Sequence, residues 1–105
     1  MSDNNCSLPG PVFQLFGFLS KRWMLIILTH LCSGNTGFNQ IKASTPGLSA
    51  KILSQRLSEL EDMSFVQKNI ISQSPLRTEY LLTEKAKSFR SVLENMGEWG
   101  EKWEK

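Results

Sequence analysis

Lys51, Ser54 and Gln55 carry donors and acceptors suited to the edges of nucleic-acid bases. Gln can pair bidentately with adenine, Lys can reach guanine O6 and N7, and Ser discriminates poorly. Their spacing groups them. In residues 46–62, PGLSAKILSQRLSELED, the apolar Leu48, Ile52, Leu53, Leu57 and Leu60 recur at helical spacing. At roughly 100° per residue they fall within an arc of about 180°. The opposite arc collects Lys51, Ser54, Gln55 and Ser58, while Glu59, Glu61 and Asp62 come only in the last two turns. Pro46-Gly47 is a turn dipeptide, and Ser49 is placed to cap the helix start. Such a helix buries leucine and offers Lys, Ser and Gln to an anion with its first half. The plainer account is an amphipathic surface helix, and the flanking sequence decides between the two.

Other groups carry weaker signals. Arg77 follows Pro75 in a turn-like stretch, where proline lowers the cost of ordering the guanidinium. Arg56 falls inside the apolar arc, so it is expected to run along the leucines to an acid such as Glu79, or to a phosphate. The single histidine, His30, lies in an apolar run and is read as structural. His30, Cys6 and Cys32 offer too few ligands at a recognisable spacing for a metal. No nucleophile–base pair, phosphate-binding glycine loop or zinc helix motif is visible, so no catalytic residue, metal or cofactor is expected.

A chain of 105 residues with 40% hydrophobic and 21% charged residues suits one globular domain. The net charge of +2 is too small to imply nucleic acid by itself. Its distribution says more: residues 21–77 hold seven basic residues against three acids, and both flanks are slightly acidic. The apolar run at 23–28 is far shorter than the 18 or so residues needed to span a bilayer. With two cysteines and no secretory signal, a reduced cytoplasmic setting is the default, and no membrane partner is expected.

The elements that would position these groups follow in order. Residues 1–10 are polar and turn-rich and read as a flexible tail. Residues 11–19 are too apolar for a free segment, and Pro11 suits a first helical position. Residues 21–31 predict a buried helix, with Trp23, Met24, Leu25, Ile26, Ile27, Leu28 and Leu31 inward, stopped by Gly34-Asn35-Thr36-Gly37. A short helix over 38–44 with Phe38 and Ile41 inward, a tight turn and the helix already described make a helix-turn-helix over 38–62. Residues 65–72 and 77–83 predict strands joined by a turn at 73–76, giving a wing over 65–83. Thr83 can cap a final helix over 84–103, with Phe89, Val92, Leu93, Met96, Trp99 and Trp103 on one stripe. The fold class is mainly α with a small β-hairpin, a winged helix-turn-helix over 11–105.

At this point the chain resembles the HxlR-type transcriptional regulators, over roughly residues 11–99. The blocks that carry the resemblance are Lys21-Arg22-Trp23, Gly37-Phe38-Asn39-Gln40-Ile41, Pro46-Gly47-Leu48-Ser49 and Leu57-Ser58-Glu59-Leu60-Glu61. Pro75-Leu76-Arg77-Thr78-Glu79-Tyr80, Leu82-Thr83-Glu84 and Glu98-Trp99-Gly100 complete them. The resemblance implies a homodimeric winged-helix DNA binder, dimerised through its terminal helices, that regulates transcription. There are departures. Ser20-Lys21 stands where the family often has Gly-Gly before the Lys-Trp, and Arg22 replaces the usual Lys. Gly10 stands where a Cys often precedes the proline matched by Pro11, and Cys6, the candidate redox thiol, lies four residues earlier. That departure argues against thiol sensing.

The expectations are therefore specific. Ala50, Lys51, Ser54 and Gln55 face a major groove, with Ser49, Asn39 and Lys42 toward phosphate. Ser74 and Arg77 lie at the 73–77 wing, against the adjacent backbone or minor groove. Phe13, Phe16, Phe89, Leu93, Met96, Trp99 and Trp103 form a two-fold dimer interface. The expected partners are double-stranded DNA with a palindromic operator, a second copy of the chain and an unidentified small effector. The alternative is a winged-helix interaction module that docks another protein through its apolar terminal helices.

Overall fold

Leu53, Leu57 and Leu60 are wholly removed from solvent, and the architecture is arranged to bury them. The computed structural model describes residues 7–104. Along them run α1 (Pro11–Leu19), α2 (Met24–Cys32), α3 (Phe38–Ala43), α4 (Ala50–Asp62), β1 (Val66–Gln73), β2 (Leu76–Leu82) and α5 (Glu84–Trp103). One core holds Met24, Ile27, Leu28 and Leu31 of α2, Ile41 of α3 and the three leucines of α4. Phe65, Val66, Tyr80 and Ala86 close it from the hairpin side and from the first turn of α5. The period-3.6 spacing in α2 and α4 makes one face of each helix available for this packing.

Helix starts are chemically explicit. Pro11 occupies the first turn of α1, where a missing N–H costs nothing. Ser49 Oγ accepts from the Ile52 N–H at 3.1 Å, and Thr83 Oγ1 accepts from the Ala86 N–H at 3.3 Å. The Thr83 hydroxyl also donates to the Ser64 carbonyl at 2.6 Å, tying the start of α5 to the end of the helix-turn-helix.

β1 and β2 form an antiparallel hairpin closed at Ser74-Pro75. β2 is also joined to the loop before α3: the Tyr80 N–H donates to the Thr36 carbonyl at 2.8 Å, and Gly37 bridges to Glu79. The wing is thereby fixed relative to the helix-turn-helix.

The structure corrects three local readings. α2 begins at Met24, not Lys21, because Trp23 takes a left-handed conformation, φ 74°, that no helix can propagate. Ile26, expected inward, is 48% exposed, since it lies on the face of α2 away from Ile27 and Leu31. Phe65, expected in a strand, precedes β1 as a core residue; its N–H donates to the Leu60 carbonyl at 2.8 Å, and its ring packs tilted against Phe18 and edge-on against Phe89.

Among the described residues no single helix is long and apolar enough to cross a membrane. They include no cluster of His, Cys, Asp and Glu that could hold a metal ion.

Candidate nucleic-acid interface

With Leu53, Leu57 and Leu60 locked in the core, the far side of α4 has to face out, and Ala50, Lys51, Ser54, Gln55 and Ser58 are all exposed. Lys51 and Gln55 are one turn apart, so their side chains form a short ridge. Ser49 sits at the head of this ridge; its oxygen caps the helix, and its O–H keeps one hydrogen to donate.

Beside the ridge, the wing and the helix-turn-helix enclose an open cleft of about 560 Å³. Asn39, Gln40 and Ser54 line one wall, and Lys68, Ile71, Leu76 and Arg77 the other. Asn39, Ser54 and Arg77 thus line the same cleft. Lys42, at the last turn of α3, and Ser74, at the wing tip, are exposed outside this cleft. Leu76 is 65% exposed at the cleft's edge.

Lys68 and Ile71 are three apart, so regular alternation would put them on opposite faces of β1. The register slips between Ile70 and Ser72, which face Thr78 and Arg77. This bulge turns both side chains to the cleft. The orientation of Lys68 could not be read from sequence because nothing local marks the bulge. Glu79 also borders the cleft, where its carboxylate accepts from Asn69 Nδ2 at 3.1 Å.

Arg56 has a structural job, but not with Glu79. Its Nε donates to the Arg22 carbonyl at 2.8 Å, and its guanidinium pairs with Glu59 at 3.0 Å. Glu59 also receives Lys21 Nζ at 2.9 Å. Burial pushes the Glu59 carboxyl up, but the hydrogen bonds and charges of Lys21 and Arg56 outweigh it and hold the group below its ordinary value. The acid nearest the middle of α4 is therefore neutralised from within, which spares an approaching polyanion its repulsion.

His30 is structural, as expected. Nε2 lies 3.1 Å from Thr45 Oγ1, which itself donates to the Ile41 carbonyl at 2.8 Å, so the ring donates there. Nδ1 is left to accept from Asn35 Nδ2 at 3.4 Å. The imidazole thus braces the turn between α3 and α4 against the end of α2.

Of the groups expected at an interface between copies, Phe13, Phe16, Met96, Trp99 and Trp103 are exposed. Phe89 and Leu93 instead pack against the chain's own core, Phe89 edge-on to Phe65 at 5.9 Å. Cys6 lies outside the described residues. Cys32 is half-buried, and its carbonyl accepts from Arg90 at 2.6 Å.

Comparison with known proteins agrees with this fold. The chain is 40% identical over 85 residues to the HTH-type transcriptional regulator YvaP of Bacillus subtilis, covering 81% of this chain and 79% of YvaP. The B. subtilis regulator YodB is 33% identical over 88 residues, 84% of this chain and 79% of YodB. The structure of reduced YodB superposes with a TM-score of 0.78, covering 92% of this chain and 95% of that one, at 30% identity. The redox regulator HypR in its reduced form gives a TM-score of 0.80, at 29% identity over 89% of this chain and 92% of its own. These relatives are regulators rather than enzymes. The profile of a helix-turn-helix family matches residues 18–105, and with a ridge-bearing α4, a wing and these relatives in place, the chain belongs to the HxlR-like helix-turn-helix family.

Proposed function

We propose that this chain, acting as one unit over residues 11–105, is a homodimeric transcription regulator that reads double-stranded DNA. The observation that carries the reading is the exposed Lys51–Gln55 ridge on a helix whose other face is locked in the core, beside a cleft lined by Asn39, Ser54, Lys68 and Arg77. The ridge enters the major groove, where Gln55 and Lys51 meet base edges and Ala50 and Ser54 lie close by. Asn39, Lys42 and Ser49 meet phosphates, and Ser74 and Arg77 follow the neighbouring backbone or minor groove. On this reading the chain acts in the cytoplasm, where the DNA is.

Dimerisation rests on surface that a lone protomer leaves wet. Phe13 is 66% exposed, Trp99 61% and Trp103 62%. They lie on the terminal helices, and Phe89 and Leu93 root the α5 stripe in the protomer's own core. Pairing these faces two-fold would present two α4 ridges to half-sites about one DNA turn apart, hence a palindromic operator. A small effector acting on this paired region is the regulatory half of the proposal; YodB, which has been solved bound to a quinone, is the precedent.

The test is selection of bound sequences from a random duplex pool, with protein mass followed by light scattering in the same buffer. A palindromic motif bound by a dimer is the expected result. A well-folded dimer that enriches nothing would overturn the reading and favour a module that docks another protein through its terminal helices.

A further inference from the structure

A second cleft, of about 280 Å³, lies along α4 and is lined by Arg22, Trp23, Gly47, Ser49, Ile52 and Arg56. Its position relative to the ridge is informative. At about 100° per residue, Ile52 and Ser54 stand about 160° apart around α4, and Lys51 and Gln55 project within about 20° of the line that bisects them. Ser54 borders the wing cleft and Ile52 borders this one. The ridge is thus flanked by a cleft on each side.

The cations differ in availability. Arg56 is committed to the Arg22 carbonyl and to Glu59, and Lys21 to Glu59 as well. Arg22 is exposed and makes no ion pair among the described residues. Its guanidinium lies 5.4 Å from the centre of the Trp23 ring, which restrains a side chain that would otherwise sweep freely. The ring is held in turn. Trp23 is left-handed, and a Cβ built at Gly47 would stand 3.6 Å from its edge, in ordinary contact. The Arg56 hydrogen bond fixes the backbone of Arg22 itself to α4 at 2.8 Å.

We propose that Arg22 is a phosphodiester-binding residue that grips the DNA strand on the side of α4 opposite the wing. The proposal rests on the DNA-binding reading above and extends it. A helix about 10–12 Å across fills a major groove about 12 Å wide, so its two flanks meet the two sugar–phosphate strands that bound the groove. Lys68 and Arg77 meet one strand and Arg22 meets the other. Trp23 is a positioning residue, since it acts through Arg22.

Phosphate-ethylation interference and salt titration of the full chain test this, comparing wild type, Arg22→Ala, Arg22→Lys and Arg77→Ala. Wild type should show protected phosphates on both strands of each half-site. Arg22→Ala should lose those on one strand and Arg77→Ala those on the other. For Arg22→Ala the slope of log K against log salt should become shallower by about 0.9 per protomer, with operator and random duplex weakened by the same factor. Arg22→Lys should restore most of the slope. Arg22→Ala should melt at the wild-type temperature, its side chain being exposed, and the Lys variant keeps the test valid if it does not. A steep wild-type slope with an Arg22→Ala slope and footprint unchanged would overturn the proposal and leave the DNA-binding reading intact. A wild-type protein with no salt-dependent binding would sink that reading, and this proposal with it.

Discussion

At the residue scale, direct readout and phosphate contact should separate cleanly. Gln55→Ala or Lys51→Ala should cut discrimination between operator and random duplex by about 1–3 kcal/mol each. Competition binding against both duplexes would measure it, and equal losses on the two would remove these residues from base readout. Glu59 makes the opposite kind of prediction, one about stability. Its carboxylate pairs with Lys21 and Arg56, and its pKa is lowered in the folded protein. A depressed carboxyl adds stability in full above its unfolded value of about 4.3, and that stability is lost as the pH falls through the folded value. Glu59→Gln should therefore cost about 1 kcal/mol at pH 7 and almost nothing at a pH well below 4. Urea melts of both proteins at the two pH values would show the gap closing.

At the element scale, one hydroxyl serves the joint between the helix-turn-helix and α5 in two ways. Thr83 caps α5 and at the same time donates to the Ser64 carbonyl. Thr83→Ala should destabilise by about 1–2 kcal/mol, and Thr83→Ser should recover most of it. Denaturant midpoints decide; a midpoint unmoved in the Ala variant would mean the cap carries no weight. Much at this scale was legible in the sequence. The leucine face of α4 and the caps at Ser49 and Thr83 depend on neighbours within one turn, which the sequence displays directly. The start of α2 is not legible, because Lys21, Arg22 and Trp23 have helix-compatible side chains and nothing local marks the left-handed turn at Trp23. For Arg56 the signal is in the sequence: Glu59 lies three residues ahead, at helical pairing distance. Lys21 could not have been matched to the same carboxylate, 38 residues away in sequence.

At the scale of the whole molecule, the shape departs from a sphere. The radius of gyration is 15.7 Å, against about 13 Å for a compact chain of this length, and the extents are 60 × 32 × 22 Å. A helix of 20 residues, α5, accounts for much of that reach at about 1.5 Å per residue. Its outer stripe of Met96, Trp99 and Trp103 is more than half exposed in the protomer. Trp99→Glu should leave the protomer folded, shift light scattering to the monomer mass, and weaken operator binding by about a hundredfold or more as the linked second half-site is lost. A dimer that persists in this variant would place the pairing surface elsewhere. The distribution of the three tryptophans has one more consequence. Trp23 is half-buried beside Gly47, while Trp99 and Trp103 stand in solvent on α5. The indoles thus divide into one fluorophore already sheltered and two whose emission moves to shorter wavelength only when α5 is covered. On dilution the intrinsic fluorescence would report assembly without any added dye.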